Sequence, residues 1–162
     1  SIDATILDGA FSRKARAKGF VTLADFSQAN LPMMNHLVAV RKSYLQRQPE
    51  FVENVLRALV EGLAFTWSPK SKGAVLKSVM RRLRITELGL AEDGYQELLT
   101  RGGLEKKPHP SLAGVRNVQR LMQSSNPRVG EIKLEEIIDR SIMRKLDDSG
   151  FIDRMYSVYP AK

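Results

Sequence analysis

The chain contains no cysteine, which excludes a disulfide framework and thiolate-bound metal. Histidine is almost as scarce: His36 and His109 stand far apart, with no cluster of carboxylates at ligand spacing between them. Metal sites within one chain normally show at least one close ligand pair, so each histidine reads as a surface or loop residue and no metal is expected. No apolar run reaches about 18 residues, so no membrane-crossing helix is expected. Gly-rich phosphate loops, dinucleotide fingerprints and the nucleophile-elbow pattern are all missing, which removes the commonest sequence signatures of nucleotide-binding and hydrolytic enzymes. No internal repeat or low-complexity segment is found.

What is present is ordinary globular material. The 162 residues are 43% hydrophobic and 27% charged, enough for a domain with its own core. A net charge of +8 raises the question of nucleic acid. The cations, however, spread from Arg13 to Arg154. The densest run, Lys77 to Arg84 with Arg81 and Arg82, carries no interleaved aromatics on which bases could stack. It reads as a solvated basic face, and nucleic acid is not an expected partner.

The stretch from Leu37 to Trp67 organises the rest. Leu37-Val38-Ala39-Val40 is short and apolar on both faces, as a buried parallel strand is. From Pro49, apolar residues at Val52, Val55, Leu56, Leu59, Val60, Leu63 and Trp67 fall on one helical stripe. Pro49 suits the first helical position, and Glu50 and Glu53 favour the positive end of the helix dipole. Upstream, Asp3–Leu7 reads as a strand, Asp8-Gly9 as a turn, Ala10–Lys18 as a helix stopped by Gly19, and Phe20–Ala24 as a second strand. Together these make a βαβ-like unit with a parallel arrangement. Downstream, helices are expected over Arg41–Gln48, Gly73–Leu83, a segment after Thr86, Leu112–Gln123 capped by Ser111, and Leu134–Leu146 in one or two pieces. The expected fold class is α/β, about three short strands followed by about six helices.

Few residues invite chemistry. Gly9 precedes a helix whose first N–H groups could hold an anion, but a tight turn also requires a glycine there. Adjacent Asp147 and Asp148 point in different directions on a helix and cannot share a proton; they read as preceding a helix stop at Gly150. Phe65 and Trp67 read as packing residues. No nucleophile, base and orienting group can be assembled, so the chain is expected not to be an enzyme and to need no cofactor.

Several segments, taken in order, resemble a known family. Asp3–Leu7 with its turn, helix and Lys18-Gly19-Phe20; Leu37–Lys42 followed by Gln48–Val52; Leu59-Val60-Glu61-Gly62; Pro108-His109-Pro110 with Gly114-Val115; Ser125-Asn126-Pro127; and Leu146–Ile152 are similar to segments of ABC-transporter solute-binding proteins. The closest group is the nitrate, sulfonate and taurine class. The match corresponds to the C-terminal half of that family's two-lobed protein. It implies a partial periplasmic-binding-protein type 2 fold and a cleft that closes by a hinge. Residues 1–24 would end one α/β lobe, 25–36 would connect the lobes, and 37–162 would form a mostly helical second lobe. The absence of an initiator methionine and of a leader agrees with an expectation that the chain is a truncated piece. By position, Asp8, Gly9 and Ala10 at the strand end, and Asn30, Asn35 and His36 in the connection, would meet the ligand. Relatives often carry a Ser-Pro-Pro or acidic-Pro-aromatic turn where this chain has Asp8-Gly9-Ala10, which leaves the ligand open among sulfonates, nitrate, carboxylates and pyrimidine-like molecules. The acidic Asp8 would disfavour a bare anion unless a cation such as Arg13 offset it.

The resemblance therefore implies a non-enzymatic receptor delivering a small molecule to an ABC permease, periplasmic or at the cell surface. Two alternatives stay open: an enzyme of the same fold related to thiamine-pyrimidine synthesis proteins, and a basic regulatory or nucleic-acid-binding module. Apolar surface intended for a missing half would favour a homodimer or larger species.

Overall fold

The computed structural model describes residues 3–7, 9–25, 31–34, 36–100 and 104–160. Among these every regular element is a helix, and no strand or sheet forms. The described residues form nine α-helices in order: α1 Gly9–Ala17, α2 Lys42–Arg47, α3 Pro49–Trp67, α4 Lys72–Leu83, α5 Leu88–Leu99, α6 Leu112–Gln123, α7 Leu134–Ile137, α8 Ser141–Asp148 and α9 Phe151–Val158. Short 3-10 turns cover Pro69–Ser71 and Pro127–Glu131. Among the described residues no helix is long and apolar enough to cross a membrane.

This corrects the α/β expectation and the type 2 binding fold built on it. Residues 4–7, 20–24 and 37–40, read as three strands, take no regular structure. The physical reason is the absence of ladder partners: residues 4–7, 21–24 and 37–40 make no backbone–backbone hydrogen bond to any described residue. Their apolar side chains consequently stay in solvent, with Ile6 93%, Val21 83% and Leu23 83% exposed. A period-2 pattern specifies which face a strand would bury, but a strand exists only once a neighbour accepts its amides.

The helical expectations fare differently because each helix satisfies its own amides. The long helix α3 starts at Pro49 and ends at Trp67, as the stripe dictates. Val52 and Val60 of that stripe are buried together with Ala64, whereas Leu59 is exposed. Helix α6 is capped by Ser111, whose hydroxyl accepts from the Gly114 N–H at 3.1 Å; such a cap contributes about 1 kcal/mol. Gly19 closes α1 with a left-handed φ of 87°, its N–H donating to the Arg16 carbonyl at 2.9 Å. The segment over Leu134–Leu146 divides into α7 and α8.

The chain divides into two compact units. The first comprises Ser1–Phe26, Gly62–Lys106 and Tyr156–Lys162. Its core is Val75 and Leu76 of α4 against Ala91 and Tyr95 of α5, flanked by Phe65, Val79, Met80, Ile85 and Leu99. The Tyr95 hydroxyl donates to the Thr66 carbonyl at 3.0 Å, so the one polar atom of this core aromatic ring is satisfied. Arg13 and Lys14 of α1 pair with Asp93 and Glu87. Being exposed, such pairs add only about 0–1 kcal/mol each.

The second unit comprises Ser27–Glu61 and Lys107–Met155. It holds the fully buried Leu146 and Ile152, with Met143 and Leu134 nearly so. Helix α6 receives the segment 31–34: Asn117 donates to the Pro32 carbonyl at 2.8 Å. A Cβ on Gly114 would stand 3.0 Å from the Met34 backbone nitrogen. At its far end, the Gln119 amide donates to the carbonyls of Val129 and Ile132, both at 2.8 Å, tying down the 3-10 turn.

Candidate functional site

In the second unit, several titratable side chains gather around Asp147, near the end of α8. Pro108 and Pro110 flank His109, and the His109 N–H donates to the Lys107 carbonyl at 2.8 Å. Two fixed proline φ angles around a three-residue turn leave this segment few alternative conformations. The turn directs both Lys107 and His109 to one carboxylate. Lys107 Nζ donates to Asp147 Oδ1 at 2.6 Å, and His109 Nε2 lies 2.9 Å from Asp147 Oδ2. Lys107 also reaches Asp153, on α9, at 3.2 Å. Gly150, with φ 68°, makes the tight turn between α8 and α9 that lets Asp147 and Asp153 share one ammonium.

The charges order themselves accordingly. The Lys107 ammonium, then the His109 ring, holds the Asp147 carboxyl below the ordinary carboxylate range. Asp147, then Asp153, raises Lys107 above the ordinary lysine value. A second group adjoins on α3. Lys145 of α8 donates to Glu53 at 2.6 Å and Arg57 donates to the same carboxylate at 2.7 Å, which lowers the Glu53 pKa, Lys145 contributing most. The Arg57 guanidinium in turn lies 4.6 Å from the Phe151 ring centre.

Chemically, these groups form an ionic clamp across one turn and two helices. A histidine against a carboxylate is the base-and-orienter half of a hydrolytic triad, but no hydroxyl or amine lies on the histidine's other side among the described contacts. The ammonium of Lys107 sits between the two aspartates where a divalent cation would have to go. Accordingly, no group of three histidine or carboxylate side chains that could hold a metal occurs among the described residues. A depression over the 3-10 turn, lined by Asn126, Arg128, Val129, Glu131 and Ile132, brings together no comparable set of groups.

The ligand-facing residues expected from sequence do not form this site. Asp8, Asn30 and Asn35 lie outside the described residues. Gly9 and Ala10 open α1 rather than a turn at a strand end. His36 is exposed. The residues that do meet, His109 and Asp147, carry bland sequence signals: a loop histidine and a carboxylate preceding a helix stop. The available signal was the Pro-His-Pro bracket, which holds an imidazole in a fixed place, together with a carboxylate in the last turn of a helix. No protein-family model matches the chain, and no curated protein or solved structure is significantly similar to it.

Proposed function

We propose that the chain is a solute-binding component of an ABC importer, a receptor that captures a small molecule without chemistry and presents it to a permease outside the cytoplasm. The reading rests on the ordered sequence resemblance, and one structural observation supports it. Pro108-His109-Pro110 and Leu146–Ile152, two of the segments carrying the resemblance, are joined by the Lys107–His109–Asp147–Asp153 network. A braced ionic network suits a receptor that must hold its shape while binding.

The test is ligand-dependent stabilisation of the full-length encoded protein. Panels of sulfonates, carboxylates, nitrate and pyrimidines are added and the melting temperature followed. A binder present at 100 times its Kd should stabilise the folded state by about 2.7 kcal/mol. A flat response across all four panels overturns the reading. Exposed Leu23, Leu31 and Leu37 support the accompanying expectation that the 162-residue chain self-associates, and a monomeric mass by light scattering would count against it.

A further inference from the structure

In the first unit, a lysine is held between two aromatic rings at a point where three other aromatic residues brace the surrounding backbone. Lys106 Nζ lies 5.1 Å from the centre of the Trp67 ring and 5.7 Å from that of Tyr156. Both distances fall within the roughly 6 Å over which a ring's quadrupole attracts a cation. No described carboxylate pairs with Lys106, so the two rings are what its ammonium faces. The Tyr156 hydroxyl donates to the Lys106 backbone carbonyl at 3.0 Å, so the ring that attracts the ammonium also fixes the backbone that delivers it. Burial pushes the Tyr156 pKa up to about 12, keeping the phenol neutral.

The rings themselves are held in place. Phe65, two residues before Trp67, packs edge-on against Tyr159, three residues after Tyr156, at 5.5 Å and 82°. Tyr95 holds the carbonyl of Thr66, the residue before Trp67. The ends of α3 and α9 are therefore set by contacts that do not involve Lys106. Lys106 itself is exposed, and its long side chain can swing into water without disturbing them.

We propose that Trp67 and Tyr156 form a cation-binding box for small alkylated ammonium ligands, and that Lys106 is its built-in, displaceable occupant. An ammonium carrying methyl groups is less strongly hydrated than a primary one, so it gives up less water on entering between two rings. It should therefore compete with Lys106 for the same space. The inference stands on this geometry alone and does not depend on the importer reading.

Trp67 is the only tryptophan in the chain, so its fluorescence reports directly on the box. The full chain is titrated with choline and tetramethylammonium, and with 3,3-dimethylbutanol as the uncharged isostere of choline. Lys106→Gln, which empties the box, should bind both cations at least tenfold more tightly than the unmodified chain and should ignore the isostere. Adding Tyr156→Leu to Lys106→Gln should abolish that gain while far-UV circular dichroism stays unchanged. If Lys106→Gln gains no affinity, Lys106 is not plugging a site and the proposal fails. Equal binding of isostere and choline would also overturn it, because the box would then be merely apolar. If the double variant has lost its helical signal, the isostere comparison on Lys106→Gln alone decides.

Discussion

Leu146 and Ile152 are fully buried, while Val21 and Leu23, of comparable size and hydrophobicity, are each 83% exposed. The two regions differ in what satisfies their backbone. Helices α8 and α9 bond their own amides, so their apolar stripes are free to turn inward. Residues 21–24 and 37–40 have the alternating or continuous apolar pattern of strands but, among the described residues, no neighbouring strand to accept their amides. Hydrophobicity drives burial only where the backbone going with it can also leave water.

The sharpest way to break this comparison is truncation on both sides of it. Leu146→Ala or Ile152→Ala should destabilise the fold by about 2–5 kcal/mol, whereas Leu23→Ala should stay within about 0.5 kcal/mol. Urea unfolding followed by circular dichroism measures both. If the two classes of variant cost the same, the extended segments are buried in solution and the contrast collapses.

Proline isolates the backbone from the side chain. Arg144 lies inside α8, and its N–H donates to the Arg140 carbonyl at 2.9 Å. Arg144→Pro should cost about 3 kcal/mol or more, although the side chain is exposed. Val38→Pro removes no described backbone bond and should leave the urea midpoint almost unmoved.

A smaller effect of opposite sign is expected at Gly62, inside α3, where an added Cβ would meet nothing within 4 Å. Gly62→Ala should raise stability by about 0.5–1 kcal/mol through helix propensity alone. An unchanged or lowered melting temperature would mean that this stretch of α3 is not helical in solution.

The most modest effect concerns acid, because the network around Asp147 is partly open to solvent. Its folded pKa lies below the ordinary value of 3.8. Its contribution is therefore complete above that value and is lost as pH falls through the lower folded one. Lys107 runs the other way: raised above 10.5, it contributes below that value and loses its contribution as pH rises through the folded one. Urea midpoints across roughly pH 2 to 6 should fall on the acid side in the unmodified chain. Asp147→Asn should flatten that limb, and an unaltered slope would remove Asp147 from the acid response.

How much could be read in advance follows the same physical divide. The starts of helices α3 and α6 were legible to the residue because their signals are local: a proline at the first position, a serine cap, apolar spacings of three and four. The three strands were misread because alternation describes a side-chain pattern and says nothing about who supplies the hydrogen bonds. The network around Asp147 was half legible. His109 and Asp147 were both noticed, yet they are remote in sequence, and only the fold of Lys107–Pro110 onto α8 and α9 makes them neighbours. The box around Lys106 was not legible at all. Trp67 reads as an ordinary packing residue, Tyr156 carries no signal of its own, and no local spacing announces that a lysine will lie near both rings.

Gly114 has a consequence for what this chain can become. Along α3, α4 and α5, the glycines at 62, 73, 89 and 94 face open space, so those positions are free for substitution. At Gly114 the room a methyl group would need is already taken by the main chain of residues 33 and 34, which no rotamer change can move aside. The segment 31–34 rests against α6 at a notch one hydrogen atom deep. In a library of random variants, position 114 should keep glycine more often than the other four, because any larger residue there must push the 33–34 backbone aside.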